Sequence, residues 1–381
     1  MRISKIVLKN WRNFRSAEVE LGERVFLVGP NASGKSNFLD AIRFLRDVAK
    51  AGGGLQPALA GRGGLFNVRC LAARKDPDVE IDVTLTDGDG GVDWRYAIGI
   101  TQEVRGHREP YVRYERIWRG EKQILNRPDA QDQSDPLRKT QTHLEQISAN
   151  TNFRPIAKFF ESIRYLHLVP QLLKHPDYYQ GSGTVEDPYG RNFLEMIAKT
   201  PEKTRRSRLK KIEAALRHAV PQLTALTDTK DEAGVPHLEA IYEHWRPNAG
   251  RQREDQFSDG TIRLIGLFWS LLDGVAPLLL EEPELSLHSS IVAKLPGLFH
   301  KLGRRKKRQL IVSTHSWDLL SEKGIGGEEV VMLQPDANGT RAILASSIPE
   351  IRALLDAEFS IADAVLPWTA PKQISQLDLA V

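Results

Sequence analysis

The spacing of apolar residues predicts strands near the start of the chain and one early helix. Ile3, Ile6 and Leu8 have the short spacing of a strand. Val19 and Leu21 repeat that spacing before the apolar run 25–28, so two early strands are predicted. Helical spacing then extends from Ser36 to about Lys50. The glycine-rich stretch 51–64 predicts a loop, because glycine disfavours regular structure.

The middle of the chain changes from strand-like to helical spacing. Apolar residues alternate between 79 and 125, which predicts an antiparallel sheet. Helical spacing follows at 137–160, with an interruption around 150–152, and at 193–199 and 205–220. A strand pattern returns at 238–242, so we expect the helices to form a lobe that interrupts a sheet-containing core.

Composition narrows the class of protein. The chain has 381 residues, a net charge of +4 and one cysteine, Cys70, which excludes an internal disulfide framework and a cysteine-rich metal site. No apolar run reaches the roughly eighteen residues that a membrane helix needs, and the first residues lead into a strand pattern rather than an apolar signal core. We therefore expect a cytoplasmic protein with no membrane segment.

A phosphate-binding loop is the most informative motif. The segment that begins at Gly29 and ends at Ser36 reads G-x-x-x-x-G-K-S and lies between an apolar strand and a helix. Its glycines let backbone amides surround a polyphosphate, Lys35 reaches the β- and γ-phosphates, and Ser36 is a ligand for Mg²⁺. The candidate nucleotide-binding residues are Gly29, Asn31, Ala32, Ser33, Gly34, Lys35, Ser36 and Asn37.

Two adjacent carboxylates follow a second buried strand. The apolar run 275–280 ends in Glu281 and Glu282, at the strand edge where ligands bind in parallel sheets. One carboxylate is suited to Mg²⁺, directly or through water, and the next is suited to polarising the water that attacks a γ-phosphate. A surface acidic turn is the alternative explanation.

Two further segments carry candidate phosphate contacts. A strand at 309–314 ends in His315, whose imidazole is suited to hydrogen-bonding a γ-phosphate or the attacking water; a structural histidine is the alternative. Ser258 and Gly260 begin the apolar helix at 262–272 and either bind an anion or serve as an ordinary helix cap.

Positive charge is concentrated in two segments, 203–211 and 304–308. Clustered lysine and arginine bind nucleic acid phosphates without sequence preference, although a solvated helix face explains the same pattern. The residues predicted to contact DNA are Arg205, Arg206, Arg208, Lys210 and Lys211.

The order of these motifs resembles the ABC-class ATPase heads of the RecF and structural-maintenance-of-chromosomes (SMC) type. The resemblance implies an α/β P-loop NTPase with an antiparallel β flank and a helical lobe insertion, which binds ATP and Mg²⁺ and dimerises on ATP. It also implies that Ser258 and Gly260 act on the partner's nucleotide. By the same resemblance Glu281 takes the magnesium-associated position, Glu282 is the catalytic carboxylate and His315 is the switch histidine.

The segments 281–288 and 313–316 look like those of ATPases allied to the overcoming-lysogenization-defect (OLD) family, many of which are tied to phage defence or DNA repair. The sequence departs from family patterns at Asp259, which follows Ser258 where a second glycine is common, and at Ser289. The glutamine loop is not placed, with Gln141 and Gln171 as its candidates. The chain after His315 is too short for the Toprim nuclease domain of OLD nucleases, so we expect cleavage to belong to a partner effector.

We therefore expect one composite ATPase domain. Its predicted parts are a core of about 1–130 and 240–345, a helical lobe of about 130–240, and a C-terminal tail at 346–381. The expected activity is ATP hydrolysis coupled to homodimerisation. An ATP-gated scaffold with negligible turnover and a nucleotide-binding subunit of a transporter are the alternatives.

Overall fold

The contacts of the chain divide it into two units. A computed structural model describes residues 1–73, 76, 78–87, 91–103, 109–175, 187–246 and 250–369. The first unit comprises Met1–Arg164, Ala276–Leu279 and Lys307–Val381, and the second comprises Tyr165–Val275 and Leu280–Lys306. Residues 370–381 of the predicted C-terminal tail lie outside the described residues. The domain boundaries expected from the sequence stay a prediction.

An antiparallel sheet of six strands forms one layer of the first unit. Its strand order is β2-β1-β4-β5-β6-β7. The alternation predicted from the sequence is present in β4, where every second residue is buried, because one face packs on the core and the other meets solvent. The strands are β1 (Arg2–Trp11), β2 (Phe14–Glu20), β4 (Val79–Thr86), β5 (Trp94–Gln102), β6 (Pro110–Arg119) and β7 (Lys122–Arg127).

A second six-stranded sheet has β3 (Arg24–Val28) near its centre. The order is β15-β14-β3-β13-β12-β8, and β3 pairs in parallel with both β13 and β14. All five residues of β3 are buried, as expected for a strand that is covered on both faces. The other strands are β8 (Arg164–Leu166), β12 (Leu278–Glu281), β13 (Leu310–Thr314), β14 (Val330–Asp336) and β15 (Gly339–Leu344).

Helices complete the first unit. They are α1 (Lys35–Ala49), α2 (Leu55–Ala60), α3 (Leu65–Val68), α4 (Ala130–Ser134), α5 (Arg154–Ser162), α12 (Trp317–Leu320), α13 (Pro349–Asp356) and α14 (Ile361–Thr369). The loop expected over 51–64 was wrong in part, since α2 forms there. The glycines flank the helix, whereas Leu55 and Leu59 bury their side chains almost completely and so stabilise it.

A buried ion network fixes the chain after β7 to the antiparallel sheet. Arg127 is 1% exposed and donates hydrogen bonds to Glu115 of β6, at 3.0 Å, and to Asp132 of α4, at 2.8 Å. The backbone amides of His143 and Leu144 also donate to Glu115, at 2.7 and 3.0 Å. Burial raises the pKa of the Glu115 carboxyl, and these donors oppose that shift.

This network explains why the helix predicted over 137–160 is shorter than expected. The α-helix there covers only Arg154–Ser162, and 137–153 contains turns and short 3₁₀ segments. Part of the backbone of that segment is hydrogen-bonded to carboxylates, which takes the place of helical hydrogen bonds. Apolar spacing alone does not reveal this competition.

The second unit combines helices with a small antiparallel sheet of order β11-β10-β9. The apolar helix α9 is buried on nearly all sides, and α8, which buries Leu209, Ile212 and Leu216, packs against α9 and β9. The helices are α6 (Pro170–Lys174), α7 (Phe193–Lys199), α8 (Glu202–Ala219), α9 (Asp259–Leu272), α10 (Ser289–Val292) and α11 (Leu295–Lys306). The strands are β9 (Leu223–Lys230), β10 (Pro236–Tyr242) and β11 (Arg251–Arg253), so this part of the chain is not purely helical.

Candidate functional site

The phosphate loop joins β3 to α1, and two glycines determine its shape. Gly34 has a φ of 99°, which an L side chain rarely adopts, and a Cβ there would collide with the carboxamide of Asn13. A Cβ on Gly29 would lie 2.6 Å from the carbonyl oxygen of Leu333 in β14. Gly34 is therefore required by its positive φ and by the packed Asn13 side chain, and Gly29 by close backbone approach.

Asn13, in the turn between β1 and β2, clamps the loop. Its Nδ2 donates to the carbonyl oxygen of Ser33 at 2.8 Å and to the hydroxyl of Thr340 at 2.6 Å. Its Oδ1 accepts from Nδ2 of Asn37 at 2.8 Å. The Thr340 hydroxyl donates in turn to the same Ser33 carbonyl at 3.0 Å. One side chain thus ties the loop to the first turn of α1 and to β15.

The residues of the loop fit a polyphosphate. Lys35 is 7% exposed, and its ammonium group donates to the carbonyl oxygens of Gly29, at 2.9 Å, and Pro30, at 3.3 Å. The Ser33 hydroxyl is fully buried and finds no hydrogen-bond partner among the described residues. Backbone amides at the start of α1 add the positive end of a helix dipole. The loop therefore concentrates hydrogen-bond donors with no carboxylate among its residues.

A charged network surrounds Asp40 of α1. Asp40 accepts hydrogen bonds from Arg12, at 2.9 Å, and from Arg62, at 2.8 Å. Burial raises the pKa of Asp40, but Arg62 and Arg12 outweigh that effect and leave its pKa below the ordinary value. Asp40 is therefore ionised at neutral pH and holds both arginines beside the helix.

An open cleft of about 1110 Å³ lies beside this helix in the first unit. Arg12, Asn13 and Asn37 line it together with Phe66, whose ring is 65% exposed. Its size matches small-ligand sites, and its lining offers polar groups and an exposed aromatic ring.

His315 lies at the same sheet edge as the phosphate loop. In the parallel pairing of β13 with β3, Thr314 is opposite Val28, so His315 and Gly29 follow directly after paired residues. The His315 side chain is exposed, and the hydroxyl of Thr314 accepts a hydrogen bond from the Ser316 amide at 3.0 Å. This arrangement brings the predicted histidine to the edge where the sequence placed it.

The paired glutamates lie at the end of β12 in the second unit: Glu281 is the last residue of the strand, and Glu282 follows it. Glu281 accepts a hydrogen bond from the hydroxyl of Tyr165, at the start of that unit. Glu282 has a φ of 43°, in the left-handed region that non-glycine residues rarely adopt. Both side chains are half-buried, whereas Glu284 is 7% exposed. The backbone therefore turns sharply at the second carboxylate and directs it independently of the first.

Ser258 and Gly260 both have packing roles in the second unit. The Ser258 hydroxyl caps α9 by accepting from the Thr261 amide at 3.1 Å. A Cβ on Gly260 would lie 2.8 Å from the carbonyl oxygen of Ser286, so glycine permits close approach of the loop after Glu282. The helix-cap alternative weighed from the sequence is therefore present, and the predicted contact with a partner's nucleotide stays a prediction.

Two contacts of α9 were not foreseen. Asp259 accepts hydrogen bonds from Lys174, at 2.6 Å, and from Gln171, at 3.2 Å, both on α6. Arg263 is 5% exposed, and burial lowers its pKa while Asp259, Glu282 and Glu284 oppose that shift. Gln171, a glutamine-loop candidate, thus holds the first residue of this helix.

The structure groups the predicted residues by unit. The phosphate loop and His315 belong to the first unit, and the glutamates, Ser258 and Gly260 belong to the second. The sequence analysis did not identify Asn13 or Tyr165. Each forms its hydrogen bonds with residues that are at least twenty positions away in the chain. An asparagine in the turn between β1 and β2 is a local signal that could have indicated Asn13. The sequence around Tyr165 offers no such signal.

The fold and the phosphate loop define an ABC-class P-loop ATPase head of the RecF and SMC type. The chain belongs to the family described as "AAA domain, putative AbiEii toxin, Type IV TA system", which it matches over residues 24–322. The resemblance and the fold class predicted from the sequence are therefore confirmed.

Solved structures share this fold at low sequence identity. A crystal structure of an Smc head bound to the C-winged helix domain of ScpA is 15% identical, with 90% of this chain and 97% of that chain covered and a TM-score of 0.54. An Smc head with an extended coiled coil, bound to the C-terminal domain of ScpA and derived from Pyrococcus furiosus, is 13% identical, with 93% and 99% covered and a TM-score of 0.50.

A curated relative matches only a short segment. Endonuclease GajA of Bacillus cereus (strain VD045) is 45% identical over 47 residues, which are 12% of this chain and 8% of that protein. The alignment thus spans less than a tenth of the relative's length.

The described residues contain neither a cluster of metal-ligating side chains nor a membrane-spanning helix. No group of three or more His, Cys, Asp or Glu side chains there is arranged to hold a metal ion. No helix in the described part of the chain is long and apolar enough to cross a membrane.

Because Asn13 packs against Gly34, we expect one added methyl group at Gly34 to impair nucleotide binding more than the same change at a glycine outside the loop. Gly34→Ala should abolish nucleotide binding, because the new Cβ is strained at a φ of 99° and displaces Asn13. Gly52→Ala is the matched control, since Gly52 also has a positive φ, 72°, but no atom lies within 4 Å of its Cβ position. Fluorescence titration with a labelled ATP analogue measures both; equal affinities for the two variants would contradict the role of the clamp.

Proposed function

We propose that this protein binds and hydrolyses ATP with Mg²⁺. The observation that carries the proposal is the phosphate loop itself, shaped by Gly29 and Gly34 and clamped by Asn13 at the start of α1. The loop has donors on its side chains and backbone and holds no acidic group, as a triphosphate requires.

Each residue of the loop has a definite task in this proposal. Lys35 exchanges the carbonyl oxygens of its own loop for the β- and γ-phosphate oxygens of ATP. The hydroxyl of Ser36 is the ligand for Mg²⁺, which neutralises phosphate charge when bound. The Ser33 hydroxyl, buried without a partner among the described residues, gains an acceptor in the phosphate oxygens.

The carboxylates supply the chemical step. Glu282 accepts a proton from water as the water oxygen attacks the γ-phosphorus and the bond to the bridging oxygen breaks. Glu281 takes the magnesium-associated position, and the Tyr165 hydroxyl restrains its carboxylate. His315 hydrogen-bonds the γ-phosphate or the attacking water. These assignments follow from the family pattern applied residue by residue.

The cleft beside α1 suits the nucleoside part of the ligand. It adjoins the loop through Asn13 and Asn37, and it contains the exposed ring of Phe66. An aromatic face and side-chain amides are groups that bind a purine base. We assign the adenosine end of ATP to this cleft.

ATP binding is further proposed to drive homodimerisation, with Ser258 and Gly260 of each copy contacting the nucleotide of the other. Ser258 is exposed at the start of α9, and its helix end carries the positive dipole that a γ-phosphate favours. The dimer would act with a partner effector in DNA repair or phage defence. The support for that role is the resemblance to OLD-allied ATPases and the short match to an endonuclease.

Substitutions at the two motifs should separate binding from hydrolysis. Lys35→Ala should abolish ATP binding, whereas Glu282→Gln should retain ATP and Mg²⁺ but lose turnover by at least about a hundredfold, because an amide is not a base. Equilibrium binding and steady-state phosphate release measure the two effects. Parental turnover by Glu282→Gln would remove Glu282 from the mechanism, and negligible turnover by the parent would favour the ATP-gated scaffold.

Dimerisation is tested by blocking the face at Ser258. The Glu282→Gln protein should form a dimer with ATP at micromolar concentration in a light-scattering measurement. Adding Ser258→Arg should leave a monomer that still binds ATP, since the large side chain obstructs the partner's γ-phosphate. Retained ATP binding is the control for folding. A Glu282→Gln protein that stays monomeric with ATP would rule out the dimer.

A further inference from the structure

The second unit contains a basic cleft that unites both positively charged segments of the sequence. It has a volume of about 380 Å³ and lies between α8, the end of α9 and α11. Lys203 and Lys211 line it from α8, and Arg305 lines it from α11. The sequence placed these residues in separate segments, whereas the fold brings them to one surface.

The contribution of α8 follows from helical periodicity. Lys203, Ser207 and Lys211 follow one another at intervals of four residues, about one turn each, and Thr204 precedes Ser207 by three, so these side chains project from one side of the helix. Leu209, on another side, is buried. This side of α8 therefore presents two ammonium groups and two hydroxyl groups to solvent.

Arg208 and Lys306 also line the cleft, and their contacts hold its helices in place. Arg208 pairs with Asp273 at 2.8 Å, and its guanidinium lies 5.2 Å from the ring centre of Trp269. Lys306 donates to the carbonyl oxygens of Leu272, at 2.5 Å, and Gly274, at 3.0 Å, and so satisfies the C-terminal end of α9. These contacts hold α8 and α11 against the same helix end.

The remaining cations are available for a ligand. Within the described part of the chain, Lys203, Lys211 and Arg305 form no ion pair, and all three are exposed. Three unpaired positive charges on one surface repel each other, and a bound polyanion removes that repulsion.

Only some of the α8 residues predicted to contact DNA lie at the basic cleft. Arg205 pairs with Asp228 at 2.8 Å and donates to two carbonyl oxygens near α7, at 3.0 Å each. Arg206 pairs with Glu202 at 2.5 Å. Neither residue lines the cleft, and nor does Lys210. Of the five residues predicted to contact DNA, Arg208 and Lys211 line it.

We propose that the basic cleft binds the phosphodiester backbone of a nucleic acid. Lys203 and Lys211 are eight residues apart on α8, which corresponds to about 12 Å along the helix. Charges spread over that length match a row of phosphates, of which one duplex strand carries one per ~3.4 Å of helix axis, better than they match one small anion. Thr204 and Ser207 add hydroxyl donors for phosphate oxygens.

Binding at the cleft is sequence-tolerant and does not depend on ATP. The lining offers cations and hydroxyl groups, which contact phosphates rather than base edges. Its residues belong to neither the phosphate loop nor the carboxylate pair, so loss of ATP hydrolysis leaves the cleft intact.

The test compares two double variants that remove the same charge. Lys203→Ala/Lys211→Ala removes cleft cations, and Arg206→Ala/Lys210→Ala removes two exposed cations of α8 outside the cleft. Fluorescence anisotropy with a labelled duplex, across a salt series and without nucleotide, gives the slope of log affinity against log salt. We expect the cleft variant to flatten this slope by about two units, while the control keeps the parental slope within about half a unit.

Three outcomes would overturn the proposal. One is an equal slope change in both variants, which would mean a diffuse charge effect. Another is parental binding by the cleft variant. The third is tighter binding of an acidic peptide than of duplex, lost only in the cleft variant, which would assign the cleft to an acidic protein. The same titration of Lys35→Ala should match the parent, so failure of the ATPase proposal stays distinguishable.

Discussion

The nucleotide site depends on one carboxamide packed against a glycine. Asn13 uses both of its Nδ2 hydrogens and its Oδ1, and it reaches the loop, α1 and β15 at once. It occupies the space that a Cβ on Gly34 would fill. Because the amide is satisfied on every side, it fixes the loop in one conformation before any ligand binds. Preorganisation of this kind favours binding, since little conformational entropy remains to be lost.

The two units hold different parts of the chemistry. The first carries the phosphate loop, the cleft to which we assign the nucleoside, and His315, all next to strands β3, β13 and β15. The second carries the paired glutamates, the start of α9 and the basic cleft. Helix α9 connects the last two, since Ser258 caps its first turn and Lys306 satisfies its last carbonyl groups.

The sequence predicted what depends on neighbouring residues. The phosphate loop and the positions of β12 and β13 were identified because glycine positions and apolar runs are local signals. Asn13 and Tyr165 were missed, because their importance lies in partners brought near by sheet pairing. The helix at 55–60 and the shortened helix at 154–162 show the same limit. Burial of Leu59 stabilised the first, and hydrogen bonds to Glu115 replaced helical ones before the second.

The central claim is that ATP binds the preformed loop held by Asn13. Hydrogen–deuterium exchange of the full chain, with and without ATP and Mg²⁺, tests it most directly, because slowed amide exchange locates the nucleotide on the backbone. We expect slower exchange at 29–37 and in the turn at 12–14 when ATP is present, and little change at 203–211. Unchanged exchange at 29–37, with protection elsewhere or nowhere, would contradict it.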